Sequence, residues 1–132
     1  MGDGDERRMI DNTMTKLRSL VEETNIALIL VSHLKRPEGR GHEEGATTSL
    51  AQLRGSAGIA QLSDMVIGLE RNQQDAEERN KTQLRVLKNR FSGQTGIACS
   101  LDFDIETGLL TEDIANEFNN ETTTENNEDS IF

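Results

Sequence analysis

The sequence is poor in the residues that build rigid or externally braced folds. Among 132 residues there is one cysteine, Cys99, so neither an internal disulfide nor a multi-cysteine metal site can form. A reducing compartment follows naturally. Tryptophan and tyrosine are absent and phenylalanine occurs four times, which leaves any core aliphatic and thin. The longest apolar run, Ile26 to Val31, is far too short to cross a bilayer, and no charged-then-apolar leader opens the chain. The expectation is therefore a cytoplasmic protein with no membrane role. Proline occurs once, at Pro37, within a glycine-rich, alternately charged stretch that reads as loop to Thr48.

Charge is unevenly distributed. From Glu112 to Phe132 there are seven acidic residues and no Lys or Arg, so that stretch holds −7 of the net −10 and leaves −3 for the rest. Acidity segregated in this way does not argue against nucleic acid as a partner of the remainder. Two regions are expected: residues 1–111 fold, and residues 112–132 form a disordered acidic tail with an apolar tip, Phe132.

Within the first region, Met9, Ile10, Thr13, Met14, Leu17, Leu20 and Val21 recur every three or four residues. That spacing predicts a helix over about Asp5 to Glu23, with Asp3 or Asp5 capping its start. The apolar run Ile26 to Val31 follows at once and reads as a buried strand. Helix followed by strand is the order of a parallel α/β sheet. Ser49 and Ser56 are placed to cap short helices ending near Leu53 and Leu62. Further strands are expected over Met65 to Leu69, Gln83 to Phe91 and Ile97 to Phe103, with turns at Ser92 to Gly96 and Asp104 to Gly108.

Three of these strands end in cations or polar groups. The first runs into Ser32, His33, Lys35 and Arg36, the second into Glu70 and Arg71, and the third contains Lys88 and Arg90. Ligands of open α/β sheets sit at the carboxyl ends of strands, where the imidazole and the cations would face phosphate. Lys88 and Arg90, two apart on a strand, are expected on one face. His42, Glu43 and Glu44 are adjacent loop residues that seldom converge on one ion, so no metal site is expected there.

The succession Val-Ser-His-Leu-Lys-Arg-Pro, Leu-Arg-Gly-Ser-Ala-Gly, Gln61-Leu-Ser-Asp64, Leu69-Glu-Arg-Asn-Gln-Gln74, Lys88-Asn-Arg-Phe-Ser-Gly93 and Thr95-Gly96 resembles the C-terminal part of the bifunctional primase–helicases of short-tailed bacteriophages. These are hexameric DnaB-like replicative helicases on a RecA-like core, related to the mitochondrial helicase Twinkle. The resemblance implies an α/β fold class: a partial RecA-like P-loop NTPase core, contributing the C-terminal part of the sheet. It implies ATP or dTTP with magnesium, single-stranded DNA, a homo-hexamer and the cytoplasm of an infected host cell. No Gly-Lys pair exists in the chain, so a phosphate-cradling loop is missing, as is an apolar strand ending in a magnesium-binding Asp. The chain is accordingly expected to be a fragment that is inactive alone.

Residue by residue, the resemblance makes His33 the γ-phosphate sensor, a role suited to a group that donates or accepts near neutrality. A histidine held by a nearby carbonyl is the ordinary alternative. Arg90 matches the arginine finger, with Lys88 beside it, directed at the phosphate of an adjacent subunit; such fingers contribute on the order of 10³–10⁵ in rate. Arg71 and Phe103 match the two positions that sandwich the base. The family commonly has tyrosine at the second, so stacking survives and a hydroxyl contact is lost. Lys35, Arg54, Gly55 and Ser56 match loops lining the DNA channel, and Gln61 matches the position coupling that channel to the nucleotide site. Ala60 stands where a second basic residue is common, which removes one contact. The acidic tail resembles one that docks on the replicative DNA polymerase, with Phe132 as anchor. A non-catalytic DNA- or polymerase-binding decoy subunit and another RecA-like ATPase, such as a recombinase, are the alternatives.

Overall fold

The computed structural model describes residues 2–37, 39–53 and 57–114. The chain opens with α1, Asp3–Thr24, and continues through a 3₁₀ turn at Leu50–Gln52 and α2, Ala57–Leu62. Four strands follow: β1 Met65–Arg71, β2 Lys81–Asn89, β3 Gly96–Phe103 and β4 Leu110–Glu112. They form one antiparallel sheet in the order β1-β2-β3-β4.

Helix α1 obeys the spacing of its apolar residues, but with a narrower stripe. Met14 is buried, with Ile10, Leu17 and Val21 half-buried around it, whereas Met9 and Leu20 are exposed. The stripe packs on α2, whose Ile59 is the other buried apolar side chain among the described residues. The expected side-chain cap is absent: Gly2 is the N-cap, and the acidic residues fall within the first turn, where the helix dipole still favours them. At the other end Asn25 adopts the left-handed conformation, φ 56°, and its N–H closes on the Val21 carbonyl. Ser49 opens the 3₁₀ turn, its N–H donating to Gln52 Oε1 at 3.2 Å. Ser56, expected to cap α2, lies outside the described residues.

A larger expectation also fails. The run Ile26 to Val31 joins no sheet among the described residues, and Ile29 and Val31 are 92% and 89% exposed. The sheet that forms is entirely antiparallel and built from residues 65–112, so the helix-then-strand order has no parallel partner here. An all-apolar strand needs neighbours and cover on both faces, and the described residues provide neither.

The sheet is legible residue by residue in its two faces. Val66, Gly68 and Glu70 of β1 turn inward and the latter two are buried, while Met65, Ile67 and Leu69 are exposed on the outer face. Across β1 and β2 the register runs Val66 to Lys88 and then Ile67 to Val86, leaving Leu87 as an extra residue. That bulge moves Lys88 off the outer face of Val86 and onto the inner face opposite Val66. Gly68 is required where it stands, because an added Cβ would lie 2.1 Å from the Thr48 hydroxyl. The loop before α2 can press against the strand only at that gap.

Glu70 closes this contact. Its carboxylate, on a residue 6% exposed, accepts the Thr48 N–H at 2.8 Å, the Thr48 hydroxyl at 3.0 Å and Arg85 Nε at 2.7 Å, with Arg85 Nη2 at 3.3 Å on the second oxygen. Farther along, Glu44 bridges to Asn72 and the Gln73 N–H donates to the Glu43 carbonyl at 2.8 Å. At its far end β4 continues to Glu112, the Asp113 N–H donates to the Ser100 carbonyl at 2.8 Å and its carboxylate lies 3.8 Å from Lys81 Nζ. Residues 115–132, including Phe132, lie outside the described residues.

Burial pushes the Glu70 pKa up, yet Arg85 and the two Thr48 donors outweigh it and hold the carboxyl below the 4.5 ordinary for glutamate. A carboxylate whose folded pKa is depressed contributes fully above its unfolded value, and loses that contribution as pH falls through the folded one. Urea denaturation between about pH 7 and about pH 3 should show stability declining on the acid side. Glu70→Gln should flatten that decline and lower stability at neutral pH by roughly 2–4 kcal/mol, since Arg85 is left unpaired. An unchanged acid limb would remove Glu70 from this role.

Candidate phosphate and nucleotide site

The turn from α2 into β1 brings four elements to one point. Lys88, re-aimed by the bulge, donates to the Ala60 carbonyl at 2.6 Å and the Gln61 carbonyl at 3.2 Å. Arg90 donates through Nη2 to the same Gln61 carbonyl at 3.0 Å and pairs through Nη1 with Asp64 Oδ1 at 2.7 Å. The other Asp64 oxygen accepts Arg18 Nη1 of α1 at 2.9 Å, and Arg18 Nε also pairs with Glu22 at 3.1 Å. The last carbonyls of a helix lack partners within it and carry partial negative charge, so cations belong there.

Lys88 and Arg90 therefore converge, though not as two residues of one strand. β2 ends at Asn89, and Arg90 begins the following turn with its N–H donating to the Asp64 carbonyl at 2.9 Å. The Arg18 guanidinium beside Asp64 holds that carboxyl below the usual aspartate range, with Arg90 and Lys88 adding to the effect. Asp64 is thus an anion at neutral pH.

Gln61 is exposed, and with Lys35 it lines a cavity of about 680 Å³ between α1 and α2. Arg7, Asp11 and Thr15 of α1 line the same space. Lys35 is fixed through its backbone, its N–H donating to the Gln52 carbonyl at 2.6 Å and its carbonyl lying 3.2 Å from His42 Nε2. Arg54, Gly55 and Ser56, expected with Lys35 to line the DNA channel, lie outside the described residues. His33 is exposed in the unpaired stretch, and no hydrogen bond links its ring to these groups among the described residues.

Arg71 and Phe103 lie at the opposite end of the sheet, with β2 between them. Register carries Arg71 to Thr82 and Thr82 to Leu101, which puts Phe103, two residues on, on the same face as Arg71. Both attach to the turn before β2: Arg71 Nε donates to the Arg79 carbonyl, and the Phe103 N–H donates to the Asn80 carbonyl at 2.9 Å. A planar cation and an aromatic ring on one face can receive a flat base between them or beside them.

Three groups at these sites have no role in the sequence reading: Asp64, Arg18 and the pair Glu70–Arg85. Glu70 could have been found, because a carboxylate on the inward phase of an alternating strand requires a buried cation. Arg18 lies beside the helix stripe, and nothing in its spacing points to Asp64.

The chain belongs to the family described as the DnaB-like helicase C terminal domain, which it matches over residues 2–111. It is 49% identical over 109 residues to the DNA helicase/primase of Enterobacteria phage T3, a match covering 82% of this chain and 19% of that protein. It is also 36% identical over 74 residues to the replicative DNA helicase DnaB of Treponema pallidum (strain Nichols), covering 56% of this chain and 15% of that one. The chain thus spans about a fifth or less of the length of these relatives.

Proposed function

We propose that this chain is the C-terminal part of the RecA-like motor domain of a ring-shaped, nucleoside-triphosphate-driven DNA helicase moving on single-stranded DNA. The observation that carries this reading is the convergence of Lys88 and Arg90 on the Gln61 carbonyl, at the helix end beside the Lys35 cavity. Cations that could meet a phosphate are there joined, through one short helix, to a cationic space that could hold a nucleic-acid backbone. In this reading Arg90 reaches the γ-phosphate bound by a neighbouring subunit of a hexamer, where its planar fork pairs with phosphoryl oxygens as charge develops. Lys88 supports it, Gln61 couples the two sites, and His33 senses the phosphate.

ATP or dTTP is the substrate, its base held by Arg71 and Phe103. Single-stranded DNA runs past Lys35 and the segment Arg54, Gly55 and Ser56. Magnesium, which the family implies, finds no group of three His, Cys, Asp or Glu side chains among the described residues, so no step is assigned to it here. The exposed run Ile26 to Val31 and the apolar outer face of β1 are the surfaces that the rest of such a core would cover. Among the described residues no helix is long and apolar enough to cross a membrane.

Within a ring-forming protein that contains this segment, Arg90→Ala should abolish hydrolysis while leaving nucleotide binding nearly intact. Mixing it with a subunit lacking a working phosphate loop should restore part of the turnover, because one class of interface then has both groups. No recovery in any mixture, with subunit exchange demonstrated, would assign Arg90 to its own subunit or to structure alone.

The acidic tail with Phe132 completes the reading as a docking arm for the replicative DNA polymerase, its carboxylates steering the approach. Because Glu112 is a strand residue and Asp113 bonds to β3, the informative truncation follows Ile114. Polymerase binding should fall sharply on that truncation and hydrolysis should not change. Equal binding with and without residues 115–132 would leave the tail a solubilising extension.

A further inference from the structure

Arg90 is already occupied by an anion. Asp64 offers one carboxylate oxygen to Arg90 and the other to Arg18, at 2.7 Å and 2.9 Å. A carboxylate presents two oxygens to a guanidinium much as a phosphoryl group does, so the two compete for the same planar donors. The pair is open to exchange: the Arg90 and Asp64 side chains are 42% and 37% exposed, and ion pairs of that exposure are individually weak. Arg18 differs. Its side chain is 28% exposed and keeps Glu22 as a second partner, so it can hold Asp64 in place when Arg90 leaves.

We propose that Asp64 is a positioning residue that acts as an internal phosphate surrogate, occupying Arg90 until a phosphate displaces it. Displacement has a second consequence, because Arg90 Nη2 also holds the Gln61 carbonyl at the end of α2. When Arg90 turns to a phosphate, both Asp64 and that carbonyl lose a donor, and the helix end bordering the Lys35 cavity is freed. Lys88, which holds the Ala60 and Gln61 carbonyls, limits how far α2 can move. The groups facing Asp64 are Arg18 of α1, Arg90 after β2 and Lys88 of β2. They keep it ionised at neutral pH, so the contest is between two anions and not between an anion and a proton. The identity of the displacing phosphate as that of a neighbour's nucleotide rests on the function proposed above; the competition itself does not.

The test uses the whole 132-residue chain, with inorganic pyrophosphate as probe and the arginine Nε–Hε resonances as readout. In the unsubstituted chain pyrophosphate should bind weakly and move the Arg90 resonance while Arg18 stays nearly still. Asp64→Asn should tighten binding about fivefold, the upper range for losing one exposed competitor. Asp64→Glu should restore the weak binding, and adding Arg90→Ala to Asp64→Asn should abolish the gain. Binding by Asp64→Asn no tighter than that of the parent, or a gain that survives Arg90→Ala, would overturn the proposal. Should the Asn variant not fold, the parent titration decides alone: an Arg90 resonance that does not move up to the solubility limit of pyrophosphate overturns it. Failure of the helicase reading would appear in the mixed-subunit hydrolysis and leave this titration unaffected. A negative titration beside intact complementation would remove only the role of Asp64.

Discussion

Among the described residues, the side-chain hydrogen bonds between the helices and the strand ends gather around Asp64. Among the described residues only Met14 and Ile59 are buried apolar side chains; they pack α1 on α2, and no fully buried apolar side chain of the strands joins them. Charge-assisted hydrogen bonds join the helices to the strands, with Arg18 reaching from α1, Lys88 and Arg90 from the end of β2, and the α2 carbonyls and Asp64 receiving them. Such contacts are directional and exchangeable in a way that packed methyl groups are not. A junction made of them can be rearranged by an arriving anion without unfolding the elements it joins.

The second polar clamp, Glu70 with Thr48 and Arg85, serves a different purpose. It is nearly closed to water, ties the loop before α2 across β1, and sits over the one strand position where a side chain could not fit, Gly68. With the Glu44 to Asn72 bridge it anchors the chain on both sides of Arg71, at Glu70 and at Asn72. The sheet therefore carries one exposed and one buried ionic cluster along the same inner face. The exposed one can exchange partners; the buried one sets where the loop lies.

How much of this could be read from the chain depended on the kind of signal. The helix stripe of Met14 and Leu17 and the strands at Met65 and Gln83 announce themselves by period, and the chemistry-bearing blocks in one order point to the family to which the chain belongs. The run Ile26 to Val31 misled for a physical reason: unbroken hydrophobicity reports that a segment wants cover, not that the cover lies in the same hundred residues. Lys88 and Arg90 were expected to share a face by simple alternation. They converge instead because Leu87 is bulged and Arg90 has already left the strand. Asp64 went unread because its role exists only once Arg18, 46 residues earlier, and Arg90, 26 residues later, are folded against it. No local pattern encodes a carboxylate shared between two such distant cations.

The cations Lys88 and Arg90 hold the end of α2 beside the Lys35 cavity. Hydrogen exchange at the Gln61 and Leu62 amides, which close the last turn of α2, measures that hold directly. Replacing Lys88 and Arg90 together by alanine should speed exchange at these two amides by about tenfold or more while β1 and β2 amides stay protected. Unchanged exchange at Gln61 and Leu62 would contradict that hold, since α2 would then keep its end without either cation.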